Sequence, residues 1–385
     1  MMKVQSGSTL IPVSLERAQS YLQDVAQGPD DRFCAQTSLD SGFHVVVPRL
    51  QARETIRAHT GVDPGFDFGT DVFSAMIGLA LTDTADTVVP GRLLTRFAEQ
   101  IARCRDGSKY SYFIDVPEFA PDTDCTALAG GALYEHGHLT RSELIRIADE
   151  LARATAPPEP QLDHGDHGDR SGRRDNEVQP DVVMVYWDQE ASHAARRARS
   201  NDPVVCANAL YTLSLAQASH GHDARAHVIA ATTRFVDTHL SSERYLSGTR
   251  YYPDPNAFLF AVSRLCRRFE AYAQLLGHTL RRQVSGEPHT QAQNPLSLAM
   301  SILAAHHAGV CGTRYDEQKE MLAHCQQDDG SWAAAPYYRM GRFPVYFGSP
   351  SSPRCSPFRH CGARNRDGRR ETSSGKERAS TGELR

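Results

Sequence analysis

The 385-residue chain lacks most of the patterns that betray a chemistry at sight. It has no CxxC pair, no P-loop, and no GxGxxG, HExxH or GxSxG stretch. Those gaps remove zinc ribbons, nucleotide-binding loops, metalloproteases and nucleophile-elbow hydrolases from consideration. A basic surplus is also missing: 42 Lys and Arg stand against 46 Asp and Glu, a net charge of −4, which argues against a nucleic-acid binder. No apolar run reaches the ~18–20 residues of a membrane span. Residues Met1 to Val13 lack the charged start and apolar stretch of a signal peptide, so a cytoplasmic location is expected. The nine cysteines are odd in number and irregular in spacing, and read as reduced thiols. Cys206, Cys266 and Cys325 fall in helical-looking apolar stretches.

What is present is helix after helix. Amphipathic segments begin near residues 14, 92, 140, 223, 268 and 314, with apolar side chains at helical spacing on one face. Between them lie segments apolar on every side, beginning near 71, 124, 203, 255 and 295. Several of the latter open on Asp-Pro or Asn-Pro, where Asp or Asn caps and Pro takes the first helical position. A helix apolar all round must be buried all round. The alternation therefore predicts an all-α toroid, with inner helices between an outer ring and a central cavity. Six outer helices are matched by only five inner ones. The sixth inner helix is due near Gly348–Ser349–Pro350, where the apolar pattern stops.

Two segments depart from the pattern. Pro157 to Asp181 is polar, rich in Pro and Gly, and reads as an exposed loop; its Asp163–Asp169 core of alternating Asp, His and Gly is a weak metal candidate with nothing rigid to hold it. The last 35 residues, 351–385, carry nine Lys or Arg against four Asp or Glu, leaving the first 350 residues at −9. The domain reading is a toroid over 1–350 and a disordered or aberrant tail over 351–385, as a shifted reading frame would produce.

The chemistry concentrates at Tyr110 to Ala129. Asp122 and Asp124 stand two apart at the start of a buried helix. Two carboxylates so close to an apolar cavity do not both ionise easily, and one is pushed toward the neutral acid. A desolvated carboxyl of that kind can protonate a group as weakly basic as an alkene. The plainer alternative is that Asp122 or Asp124 caps the helix.

The run Pro121–Asp122–Thr123–Asp124–Cys125–Thr126–Ala127 resembles the DxDD motif of class II terpene cyclases and squalene–hopene cyclases, with Cys125 in place of the last Asp. A second run, Leu322 to Trp332, looks like the QW repeat of the same superfamily, with Gln326, Gly330 and Trp332 at the signature places. Arg105 to Tyr110 is similar to a degenerate copy. The resemblance implies an α/α toroid in which Asp124 protonates the distal alkene of a linear isoprenoid diphosphate and Asp122 tunes that acid. It implies no cofactor for protonation, and Mg2+ only as an escort of the substrate diphosphate. A single toroid points to a substrate of sesqui- or diterpene size. The partner is thus a small molecule, with no nucleic acid, no transmembrane segment, and peripheral membrane contact left open.

Aromatic residues gather in the loops before the apolar helices and fit walls that guide a carbocation. Tyr112, Phe119, Trp187, Tyr252, Trp332 and Tyr338 are the candidates, with Arg339 as a cation for the diphosphate and Lys109, Arg250 and Arg342 beside it. No DDxxD of the ionising terpene synthases occurs, so the chemistry would start by protonation. Two alternatives remain: a toroid like the zinc-binding β-subunit of protein prenyltransferases, to which Asp122 and Cys125 are a poor fit, and a non-catalytic or truncated toroid scaffold.

Overall fold

The computed structural model describes residues 10–28, 34–82, 89–156, 178–187, 199–217, 224–286, 294–341 and 343–349. Twelve α-helices lie among them. The inner ones are α3 (Phe73–Leu81), α5 (Thr123–Glu135), α7 (Pro203–Gln217), α9 (Pro255–Arg268) and α11 (Pro295–His307). Each packs on the next in that order. The outer ones are α1 (Leu10–Gln27), α4 (Gly91–Arg103), α6 (Arg141–Arg153), α8 (Ala226–Ser241), α10 (Glu270–Ser285) and α12 (Thr313–His324). Outer α4, α6, α8, α10 and α12 back α3, α5, α7, α9 and α11, and α1 lies between α12 and α4. This is the α/α toroid that the alternation of apolar and amphipathic segments implied. From Pro350 onward the stretch where a sixth inner helix was due lies outside the described residues, as do the 351–385 tail, most of the 157–181 loop and Arg342.

Four of the five inner helices open on a side-chain cap, and α3, whose N-cap Val72 has none, is held by Asp71 one place earlier. Asp71 accepts the Phe73 N–H at 2.8 Å, Asp122 that of Cys125 at 2.7 Å, and Asp202 that of Val204 at 2.9 Å. Asp254 accepts from Asn256 and Asn294 from Ser297, each at 2.8 Å, with Pro next in sequence in both helices. On the outside, α6 opens on a reciprocal capping box between Thr140 and Glu143. Small residues let the inner wall close. A methyl group on Gly130 would stand 2.8 Å from Ile147 of α6, and one on Gly131 2.7 Å from the Thr212 hydroxyl of α7.

The separate inner and outer segments expected from 255 and 268 are α9 and α10, with Phe269 extended between them. Two features differ from the sequence expectation. Helix α2 (Ala52–Thr60) is additional: two of its nine side chains are buried, too few for a visible period. A small antiparallel sheet also forms, in the order β2 (Val46–Val47), β1 (Gln36–Ser38), β6 (Tyr346–Gly348) and β5 (Tyr338–Arg339). It ties the segment after α1 to the segment after α12. A two-stranded ribbon, β3 (Arg105–Asp106) with β4 (Lys109–Tyr110), precedes α5. Cys206 and Cys266 are buried, whereas Cys325 is exposed because α12 has ended by Cys325. No disulfide forms among the described residues.

The run Leu322 to Trp332 closes the outer ring. The Gln326 amide donates to the Ser14 and Gly330 carbonyls, both at 2.9 Å, and the Trp332 indole N–H donates to the Leu322 carbonyl at 2.8 Å. Gly330 has φ +87°, and a Cβ there would lie 2.2 Å from the Arg17 carbonyl oxygen in α1. Both facts demand glycine. Gly330→Ala is expected to cost about 2–3 kcal/mol and to lower Tm by several degrees, read by circular dichroism melting.

Candidate active site

The two ends of the inner ring differ in chemistry. At one end the first turns of the inner helices meet beneath a plug of aromatic rings. Tyr112 stacks on Phe73 at 5.5 Å, packs on Phe119 at 6.0 Å and lies 5.4 Å from Tyr338. Inside the ring lies an apolar chamber of about 240 Å³, lined by Phe73, Ile77, Leu128, Phe260, Met300 and other residues of all five inner helices. At the far end the last turns of α3, α5, α9 and α11 enclose a polar chamber of about 580 Å³. Arg264 lines both.

Asp122 and Asp124 are both buried, but they have different tasks. Asp122 is the cap of α5. Asp124, one place into the helix, receives no backbone N–H among the described residues. It is held by side chains from two other inner segments. The Asn208 amide of α7 donates to Oδ1 at 2.9 Å, and the Tyr252 hydroxyl, from the loop before α9, bonds Oδ2. Burial pushes the Asp124 carboxyl up from 3.8 to about 7, the nearby Asp122 charge adds to the push, and the bonds from Tyr252 and Asn208 oppose it. The result is a carboxyl poised between acid and carboxylate near neutral pH, inside an apolar wall.

A further layer fixes this geometry. Arg264 of α9 donates to the Asn208 Oδ1 at 3.5 Å and to the Ala80 carbonyl at 3.4 Å, and its guanidinium lies 4.9 Å over the Tyr211 ring. With its oxygen turned to Arg264, Asn208 can only present its NH2 to Asp124. Burial pulls the Arg264 pKa down from its ordinary value. No carboxylate bonds Arg264 or Arg267 among the described residues, whereas Arg268 pairs with Glu135 at 3.0 Å. Arg267 donates to His307 Nε2 at 3.1 Å. Arg267 and Arg268 also sit in the last turn of α9, where cations oppose the helix dipole.

The other aromatic candidates are dispersed. Of Tyr112, Phe119, Trp187, Tyr252, Trp332 and Tyr338, only Tyr252 lines the apolar chamber; Tyr337, next to Tyr338, lines it instead. Tyr112, Phe119 and Tyr338 belong to the aromatic plug. Trp187 donates to the Glu150 carbonyl at 2.9 Å and carries the Lys109 ammonium 4.3 Å from its ring. Trp332 belongs to the α1–α12 junction. Arg339 Nε donates to the Arg250 carbonyl at 3.0 Å, and neither residue lines the polar chamber. The sequence reading passed over Asn208, Arg264 and Arg267. Asn208 and Arg264, polar side chains inside otherwise apolar segments, were the signal that could have found two of them. No group of three His, Cys, Asp or Glu able to hold a metal occurs among the described residues, and Asp122 with Cys125 forms a helix cap there.

Comparison with known proteins agrees with this architecture. No protein-family profile matches the chain. The type II terpene cyclase MstE from Scytonema superposes with a TM-score of 0.52 at 11% identity, over 88% of this chain and 85% of that one.

The chain has the toroid fold of the type II terpene cyclases.

A crystal structure of a protein from Actinoplanes shares this toroid with a TM-score of 0.53 at 14% identity, over 86% of this chain and 85% of that one. In sequence, half of the chain is similar to drimenol cyclase drtB of Aspergillus calidoustus, 30% identical over 195 residues. That stretch is 50% of this chain and 33% of the fungal one, so the match spans about a third of the relative's length. No helix among the described residues is long and apolar enough to cross a membrane.

Proposed function

We propose that this protein is a class II terpene cyclase that protonates the distal alkene of a linear isoprenoid diphosphate, with Asp124 as the acid. The observation that carries this reading is the buried Asp124 carboxyl, free of any capping duty and held at about 7 beside an apolar chamber. The alkene's π electrons take the proton, a tertiary cation forms, and the next alkene attacks it. The apolar walls keep water from the cation. Asp122 contributes negative charge that favours the neutral form of Asp124.

The polar chamber suits the diphosphate. The far end of the ring supplies the cations, and since Arg264 is linked to Asp124 through Asn208, a chain folded back on itself would set its head beside Arg264. Arg264 is a half-buried cation with no bonded carboxylate among the described residues, an arrangement that an anionic guest would complete. The apolar chamber of about 240 Å³ favours a sesquiterpene- or diterpene-sized chain over a triterpene. Glu135, the carboxylate lining the polar chamber, already bonds Tyr211 and Arg268, so a Mg2+ ion there would rest on substrate oxygens. No step of the reading runs through a metal. The similarity to a drimenol cyclase supports cyclisation as the reaction type.

The test is incubation of the purified full chain with farnesyl and geranylgeranyl diphosphates. The expected result is a cyclic product that still carries its diphosphate and is extractable only after phosphatase treatment. Linear prenol alone, or release of pyrophosphate during turnover, overturns the proposal.

A further inference from the structure

Asp124 does not line the apolar chamber; Tyr252 and Asn208 do. The acid therefore stands one side chain behind the wall. Tyr252 stands in front of it, buried, with its hydroxyl on the Asp124 Oδ2. Its backbone is fixed: the Tyr252 N–H donates to the Thr249 hydroxyl at 2.9 Å, and the Thr249 N–H donates back to the Tyr252 carbonyl at 2.7 Å. Gly248 sits behind this turn, with no room for a Cβ against the Pro253 carbonyl oxygen, 2.4 Å away. The ring packs edge-on against Tyr338 at 6.2 Å. A side chain held at both backbone and ring is a poor candidate for swinging aside.

The two oxygens of Asp124 are also unequal. Asn208, oriented by Arg264, donates to Oδ1, so that oxygen is committed as an acceptor. The acid proton then belongs on Oδ2, facing Tyr252. In that state the carboxyl O–H donates to the phenol oxygen, and the phenol's own hydrogen is free to point into the chamber.

We propose that Tyr252 is the residue that delivers the proton, in a relay from Asp124 Oδ2 through the phenol oxygen to the alkene. This rests on the cyclase reading above. In one concerted step the alkene π pair forms a C–H bond with the Tyr252 hydroxyl hydrogen. The electron pair of the broken phenol O–H bond takes the Asp124 proton. Asp124 is left as carboxylate, Tyr252 is again a neutral phenol, and the positive charge stays on carbon. Burial, together with the Asp124 charge beside it, holds the Tyr252 phenol well above its ordinary pKa, which excludes a free phenolate and requires the two transfers to be coupled. Asn208 and Arg264 are positioning residues in this scheme.

The test uses the full chain with farnesyl diphosphate under single-turnover conditions in mixtures of H2O and D2O. Two protons in flight give a bowed dependence of rate on deuterium fraction; direct transfer from Asp124 gives a straight line. The expected results are a bowed plot for the unaltered chain, and for Tyr252→Phe a rate at least about 10²-fold lower with a straight plot. A purely structural role for Tyr252 would lower the rate without straightening the plot. If Tyr252→Phe does not fold, 3,5-difluorotyrosine at position 252 keeps the ring's packing and acidifies the phenol, and its rate must change. A straight plot for the unaltered chain, a Tyr252→Phe rate within about threefold of it, or a fluorinated variant with unchanged rate overturns the relay and leaves Asp124 as the direct donor. Failure of the unaltered chain to make any cyclic product is distinct, and removes the cyclase reading and the relay with it.

Discussion

Asp124→Asn is expected to lower cyclisation by at least about 10³-fold while the protein stays folded, since the amide keeps the shape but has no acidic proton. The unaltered chain should show a matching pH profile. Only the neutral carboxyl can donate, and its pKa lies at about 7. The single-turnover rate should be level below pH 6 and fall about tenfold per pH unit well above 7. Stability carries the same signature. The folded pKa is raised above the unfolded value of 3.8, so the folded chain holds this proton more tightly. The stability it contributes is fully present below about pH 4 and is lost as pH rises through about 7. Asp124→Asn should therefore melt higher than the unaltered chain at pH 8, with the difference shrinking toward pH 4. Equal turnover in the two proteins would remove Asp124 from the mechanism. A melting difference that grows as pH falls would contradict the proposed cause of its pKa.

The second large effect belongs to Arg264. Arg264→Met preserves much of the side chain's volume and removes the cation shared by the two chambers. A hydrogen bond to a charged partner is worth about 1.5–3 kcal/mol, so KM for the diphosphate substrate should rise by about 10–10²-fold. Because the same guanidinium orients Asn208, kcat should also fall, through a less well-ordered Asp124. Inorganic pyrophosphate provides a separate measure: it should inhibit the unaltered chain competitively and the variant weakly. An unchanged KM together with unchanged pyrophosphate inhibition would place the head of the substrate elsewhere. The same substitution in Arg268, whose charge is already paired with Glu135, should change KM less.

Local chemistry carried a large share of this structure into the sequence. The 3.6-residue period marked the outer helices, and runs apolar on all sides marked the inner ones, because a helix without a polar face has nowhere to go but inside. Asp-Pro and Asn-Pro marked the starts of α9 and α11, since capping and the proline ring act within a single turn. The two Asp residues at 122 and 124 were visible as a pair for the same reason. The short strands β1, β2, β5 and β6 were not visible: segments of two or three residues show no period, and the β1–β6 pairing joins parts of the chain about 300 residues apart.

The motif resemblance marked Asp124 as the proposed acid, but the sequence by itself left open which of the two Asp residues caps the helix. That assignment depends on which N–H each carboxylate meets, and on Asn208 and Tyr252, 84 and 128 residues beyond Asp124. Nor could it separate the aromatic residues that plug the ring from the one that stands between Asp124 and the chamber, because rings in equivalent loops look alike until packing assigns each its neighbours. Helix formation and capping are contests among neighbours in the chain, so composition and spacing determined them here. The acidity of Asp124, the placing of its proton and the charge at the far chamber depend on burial and on partners from other helices, and these exist only once the ring has closed.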